Sequence, residues 1–181
     1  MFNSFELGGS SYAWLTPGGY IWANLCRTAH LHKRIAEDFG MRFEIAAYIW
    51  VHGHSNAGAT EAEYLGYLEE QEAALAQLCT DLGQTTRPVF CTTGTAISKF
   101  SGTTRSEVPL AQLAFATAPS ELSTRLFAGP ESEYTIEISV DGTHPTAEGY
   151  QDHGDMIGIA VREALFGGYP TSFVTRMPSA V

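Results

Sequence analysis

Between Phe43 and Val51 the chain reads FEIAAYIWV, a run that is almost entirely apolar. A strand with one face in water alternates apolar and polar residues, whereas a strand of a parallel sheet is covered by helices on both faces and is apolar throughout. The run therefore predicts a strand that is buried on both faces. It favours the α/β architectures, in which a parallel sheet is sandwiched between helices.

Helical and strand patterns alternate on both sides of this run. Residues 20–39 have apolar side chains at helical spacing and are followed by Gly40, a helix stop. A capping box, Thr60 to Glu63, opens a second helix that Gly83 ends. Further strands are predicted at 2–7, 87–92 and 125–128, with a short β-rich run at 134–140. Further helices are predicted at 107–118 and 146–166, and Pro145 suits the first helical position of the last one. The pattern predicts one α/β domain over residues 1–168 and a tail over residues 169–181.

Composition narrows the classes of function. The chain has 181 residues, enough for one domain, and a formal net charge of −10, which argues against nucleic-acid and anionic-membrane partners. It contains no apolar stretch of roughly 18 residues, the length a membrane span needs, and no signal-peptide pattern. Its three cysteines lack the spacing of a metal site, and whether two of them form a disulfide is left open by the sequence. The compartment is not determined by these features.

Three polar loops follow predicted strands, where parallel sheets bind ligands. They are Gly8 to Ser11, His52 to Asn56, and Asp141 to His144. Glycine N–H groups and an Asn or Ser side chain can hold a developing oxyanion. A carboxylate one turn from a histidine can hold one ring nitrogen, so that the other acts as a general base. The alternative for Asp141 to His144 is a surface turn that caps the last helix.

Three segments together resemble the SGNH (GDSL-type) hydrolases, in particular the sialate O-acetylesterase-like carbohydrate esterases. Residues 50–57 (WVHGHSNA), with Tyr64 after them, resemble the family block W-x-Q-G-E-S-D-A…Y. Gly8-Gly9-Ser10 with Trp14 is similar to the block whose glycine donates to the oxyanion. Residues 141–150 (DGTHPTAEGY) resemble D-G-x-H-x-x-x-x-G-Y, which carries the catalytic acid and histidine. Ala111-Gln112 and Ala128-Gly129-Pro130 also resemble family features.

The resemblance implies a flavodoxin-like α/β/α sandwich and acyl transfer from an acetylated sugar or polysaccharide, with no cofactor. His144 would be the general base and Asp141 would orient it. The N–H of Gly9, with Asn56 or Ser55, would hold the oxyanion. The family also suggests an extracytoplasmic or secreted location.

The chain departs from the family at the nucleophile. The family's serine lies on a first strand upstream of the glycine block, and no serine occupies that position here. Ser10 and Ser11 are the fallback nucleophiles. We therefore expect an N-terminally truncated domain that is inactive or weakly active alone, and that self-associates or pairs with a missing N-terminal segment. Residues 169–174 (YPTSFV) resemble the start of the β-rich module that often follows such domains.

Three alternatives remain open from the residues alone. Gly53 to Ala57 resembles the nucleophile elbow G-x-S-x-G of α/β-hydrolases, with Ser55 as nucleophile. His52-x-His54, with Asp141 and His144, would suit a metal-dependent hydrolase. The third alternative is a non-catalytic carbohydrate-binding or structural domain.

Overall fold

The computed structural model describes residues 4–5, 8–95, 107–130, 139–140 and 144–167. Five α-helices and three strands alternate along them. The helices are α1 (Tyr12–Leu15), α2 (Tyr20–Asp38), α3 (Glu61–Asp81), α4 (Glu107–Thr117) and α5 (Ala147–Phe166). The strands are β1 (Ala47–Trp50), β2 (Val89–Gly94) and β3 (Thr124–Pro130), and a 3₁₀ turn covers His54–Asn56.

The three strands form a parallel sheet in the order β1-β2-β3. Every residue of β2 is buried, as expected for a central strand covered on both faces. In β1, by contrast, only Trp50 is fully buried. The predicted strand over residues 43–51 is therefore shorter than expected, and among the described strands it lies at the edge. Its apolar composition did not distinguish an edge strand from a central one.

Helices cover both faces of the sheet. On one face α3 and α4 enclose an aromatic core with Trp50, Phe90 and Phe115 at its centre. On the other face α5 places Ile157 and Ala160 against alternate residues of the strands. This arrangement confirms the prediction of an α/β fold with a parallel sheet, whereas the flavodoxin-like architecture of the SGNH hydrolases stays a prediction. No helix of the described part is long and apolar enough to cross a membrane.

The local signals for helix ends are confirmed at α2 and α3. Gly40 and Gly83 follow these helices with φ of 67° and 71°, a conformation that glycine adopts without strain. The Thr60 hydroxyl accepts from the N–H of Glu63, and the Glu63 carboxylate accepts from the N–H of Thr60. This is the predicted capping box.

The predicted start of the last helix is wrong by two residues. Thr146 is the N-cap of α5, because its hydroxyl accepts from the N–H of Gly149. Pro145 therefore precedes the cap instead of occupying the first helical position. The strand predicted at 2–7 and the β-rich run at 134–140 fall mainly outside the described residues, and so does the tail at 169–181. Ser4 and Phe5 are in neither a helix nor a strand.

A buried ion pair joins α3 to the start of β3. Arg125 places its guanidinium 2.6 Å from the Glu72 carboxylate and over the ring of Phe115, and Ser123 donates a 2.5 Å hydrogen bond to Glu72. Burial opposes the charge on Glu72, but the bonds from Arg125 and Ser123 outweigh it and lower its pKa. The pair fixes α3 to β3 at the end of the sheet away from the polar loops.

Candidate functional site

The carboxyl ends of β1 and β2 are held together at the main-chain carbonyl of His52. Gln112 of α4 donates to this carbonyl at 2.7 Å, and the Thr95 hydroxyl donates to it at 3.0 Å. The Gln112 side chain also accepts from the Thr95 N–H at 2.8 Å. Gln112 is fully buried, so these bonds form in a medium where leaving a group unpaired is costly. The strand ends and α4 thus form one fixed platform.

Gly53 is required by this platform. Its φ is 150°, a conformation that side-chain-bearing residues rarely adopt. A Cβ atom built there would lie 2.3 Å from the Thr95 hydroxyl oxygen. The turn after β1 can therefore lie close to the end of β2 only because residue 53 lacks a side chain.

The N-terminal loop, defined as residues 8–11, packs against this turn through the residue that follows it. The Tyr12 N–H donates to Asn56 Oδ1 at 2.7 Å. The Tyr12 ring stacks on Tyr67 of α3 with centroids 4.1 Å apart, and its hydroxyl donates to Glu70 at 2.6 Å. Burial and the neighbouring Glu70 carboxylate raise the pKa of Tyr12, so it stays protonated and keeps this bond. Two loops that sequence reasoning assigned to one site are therefore in contact.

The imidazole of His52 makes a second link between the same segments. Its Nε2 lies 3.2 Å from the Ser10 carbonyl oxygen, and its Nδ1 lies 2.9 Å from the Tyr64 hydroxyl of α3. Burial lowers the pKa of His52 from 6.5 to about 4, with the bond to Ser10 opposing this shift and nearby His54 adding to it, so the ring is neutral at pH 7. His52 is thus a half-buried, hydrogen-bonded histidine.

Of the three predicted oxyanion donors, one is half-buried and two are exposed. Asn56 is half-buried and its Oδ1 is occupied by Tyr12, which leaves its Nδ2 amide as the donor end of the side chain. Gly9 is exposed with φ of 72°, and a Cβ atom there would meet nothing within 4 Å. Ser55 is also exposed, on the 3₁₀ turn. We define the donor pair as the Gly9 N–H and the Asn56 Nδ2 amide.

The conformation of Ser55 does not match a nucleophile elbow. An elbow holds its serine in a strained turn between strand and helix. Ser55 instead lies in one 3₁₀ turn, and no residue other than glycine in the described ranges has a positive φ. Ser10 and Ser11, the fallback nucleophiles, are half-buried, and Ser11 is the N-cap of α1 without a side-chain capping bond.

His144 lies in an exposed position two residues before the N-cap of α5. Its carbonyl accepts from the Ser139 N–H at 2.8 Å. Asp141 lies outside the described residues, so its predicted bond to His144 stays a prediction.

The metal-site alternative gains no support from His52. Both of its ring nitrogens face hydrogen-bonding partners, whereas a ligand histidine needs one of them for the metal. Within the described ranges no group of three His, Cys, Asp or Glu residues could hold a metal ion. The cysteines there are free thiols, and burial raises the pKa of Cys79 to about 11 and of Cys91 to about 12.

Sequence reasoning missed several residues that build the site. Tyr12 contributes a main-chain N–H, which no side-chain motif reveals. Thr95 is an ordinary threonine after a strand, so its role also had no signal. Gln112 was noted only through the family resemblance, although a glutamine among apolar helix residues is itself a signal of a buried polar contact.

Comparisons with known proteins do not assign the chain to a family. A scan against protein-family models, a search of curated proteins and a search of solved structures each found no match.

Proposed function

We propose that this chain carries the oxyanion and general-base parts of a serine hydrolase resembling carbohydrate O-acetylesterases. The observation that carries the proposal is the hydrogen bond from the Tyr12 N–H to Asn56 Oδ1. It fixes the Asn56 amide so that its NH₂ end is the available donor. Tyr12 directly follows the loop that contains Gly9, where a Cβ atom would meet nothing within 4 Å. Such preorganised donors stabilise the oxyanion of acyl transfer.

Under this proposal the reaction proceeds by acyl transfer. A serine hydroxyl attacks the acetyl carbonyl, and His144 Nε2 accepts its proton while Asp141 holds Nδ1. The donor pair receives the negative charge on the former carbonyl oxygen. The charge passes back when the sugar leaves with the proton from His144, and water then releases acetate by the same steps. The serine is Ser10, Ser11 or one contributed by sequence upstream of the glycine loop.

The packing of α5 supports a place for His144 near the donor pair. Gly129, near the carboxyl end of β3, lies against Met156, so closely that a Cβ atom there would be 2.9 Å from its sulfur. Helix α5 begins at Ala147, about two and a half turns earlier. A helix that packs on a parallel sheet runs opposite to the strands, which would carry its first turn beyond their carboxyl ends.

Hydrolysis of p-nitrophenyl acetate and of an acetylated xylan or sialoside tests the proposal. The chain and a version extended upstream through the next strand are assayed beside their His144→Ala variants, with exposed His30→Ala as the control. We expect saturable turnover in the extended version at least, abolished by His144→Ala and unchanged by His30→Ala. Turnover that is absent from both versions, or that survives His144→Ala, would contradict it.

A serine-directed fluorophosphonate identifies the nucleophile in the same samples. Labelling that is lost in Ser10→Ala or Ser11→Ala assigns the nucleophile to the loop. Labelling only in the extended version assigns it upstream, as the family resemblance implies. Labelling lost specifically in Ser55→Ala would instead support the elbow alternative.

A further inference from the structure

His52 occupies the position where the family that the chain resembles has glutamine, and its side chain joins two elements of the fold. One ring nitrogen faces the Ser10 carbonyl of the N-terminal loop, and the other faces the Tyr64 hydroxyl of α3. The Tyr64 and His52 rings are also stacked, at an interplanar angle of 8°. The imidazole therefore bridges the loop and the helix.

The surrounding donors determine which ring nitrogen carries the proton. The Ser10 carbonyl can only accept, so His52 Nε2 must be the protonated nitrogen. Nδ1 is then an acceptor, and its partner must be the Tyr64 hydroxyl. The Tyr64 hydroxyl is also placed to donate to the His52 carbonyl, at 2.7 Å, but that oxygen already accepts from Gln112 and Thr95. With the proton on Nε2, the Tyr64 hydroxyl can donate to Nδ1, and both ring nitrogens have a partner.

We propose that His52 is a positioning residue, which as the Nε2–H tautomer holds the N-terminal loop at the distance from α3 that the donor pair requires. The Ser10 carbonyl lies one residue after Gly9, so the bond to Nε2 restrains the peptide units that carry the loop's N–H groups. Its catalytic consequence rests on the proposed function, whereas its effect on the loop does not.

Three variants separate the two bonds of the imidazole. In His52→Gln the amide nitrogen occupies the place of Nε2 and can still donate to Ser10. In His52→Asn the shorter amide occupies the place of Nδ1, so it can reach Tyr64 but not Ser10. His52→Leu removes both bonds and keeps an apolar side chain.

Hydrogen exchange of the amides of residues 8–12 is the decisive measurement. We expect exchange about tenfold faster or more in His52→Asn and His52→Leu, near wild-type exchange in His52→Gln, and unchanged exchange in β2. Unchanged loop exchange in His52→Asn would overturn the proposal. ¹⁵N NMR of the wild-type ring gives an independent result, since an Nδ1–H tautomer would also overturn it, whether or not the variants fold.

Ester hydrolysis by the active version distinguishes this inference from the proposed function. We expect kcat to fall in His52→Asn with KM nearly unchanged, and to be retained in His52→Gln. If loop exchange responds as expected but no version hydrolyses esters, the positioning role stands and the proposed function fails. If hydrolysis is present but loop exchange does not respond to His52→Asn, the positioning role fails and the proposed function stands.

Discussion

The main-chain N–H of Tyr12 donates a 2.7 Å hydrogen bond to Oδ1 of Asn56, 44 positions along the chain. This bond joins the start of α1 to the turn after β1. The two ends of the Asn56 amide therefore have separate roles. Its oxygen fixes the loop by accepting from Tyr12, and its nitrogen is the end that can donate to a ligand. The two roles can be separated by substitution.

Asn56→Asp keeps the acceptor for Tyr12 and removes the donor, whereas Asn56→Ala removes both. We expect Asn56→Ala to lower the free energy of unfolding by about 1–2 kcal/mol and Asn56→Asp to leave it nearly unchanged. Both should reduce ester turnover by about 10²- to 10³-fold, because each removes an oxyanion donor. Urea unfolding and acetyl-ester kinetics measure the two effects. Full activity in Asn56→Asp would exclude Asn56 as an oxyanion donor.

Gly53→Ala should destabilise the fold strongly. The new methyl group would meet the Thr95 hydroxyl at 2.3 Å, in a backbone conformation that alanine disfavours. We expect a loss of about 2–4 kcal/mol. Gly66→Ala is the matched control, because Gly66 is exposed within α3 with open space at its Cβ position, and it should stabilise the chain by about 0.5–1 kcal/mol. Equal effects of the two substitutions in urea unfolding would contradict this account.

Glu72→Gln should cost about 3 kcal/mol, because it leaves the buried guanidinium of Arg125 without its counter-charge. The exposed neighbour Glu69→Gln should change stability by less than about 0.5 kcal/mol. Removing both charges in Glu72→Leu with Arg125→Met should cost less than the single change. Thermal and urea unfolding of the four proteins test this order, and a double variant no more stable than Glu72→Gln would be contrary to it.

The free energy of unfolding should decrease as the pH falls below 6.5, because of His52. Its pKa is about 4 in the folded chain against 6.5 unfolded, so between these values the unfolded chain binds a proton that the folded chain excludes. The folded state is not penalised above pH 6.5, and the penalty grows as the pH falls toward 4, reaching the order of 3 kcal/mol. His52→Gln cannot titrate and should lose less stability over this range. Parallel slopes of unfolding free energy against pH for the two proteins would refute the assignment.

The elements predicted well from sequence have local causes. The capping box of Thr60 and Glu63 needs only neighbouring residues, and so do the glycines that end α2 and α3. At α5 the prediction considered only Pro145, which suits the first helical position, and overlooked Thr146, a residue type that favours the cap. The bond from Gly149 to Thr146 makes Thr146 the cap. The extent of β1 depends on which strands flank it, which a single apolar run does not encode.

The residue types of the site could be predicted from the sequence better than the hydrogen bonds that hold these residues together. The glycine loop and the turn with Asn56 were expected to meet, and they do, through Tyr12. The sequence offered no sign that both ring nitrogens of His52 would be hydrogen-bonded, because a half-buried histidine in a polar loop has the same local pattern as an exposed one. The relation of Asp141 to His144 stays a prediction.

The hydrogen bonds to the His52 carbonyl also affect how the domain unfolds. Because this carbonyl accepts bonds from Gln112 of α4 and from Thr95 at the end of β2, opening this edge means breaking contacts among a turn, a strand end and a helix together. Partial unfolding confined to the edge gains little chain entropy for those losses. Heating should therefore leave few molecules that are folded but have a disordered edge, and the geometry of this edge should disappear in the same cooperative transition as the core.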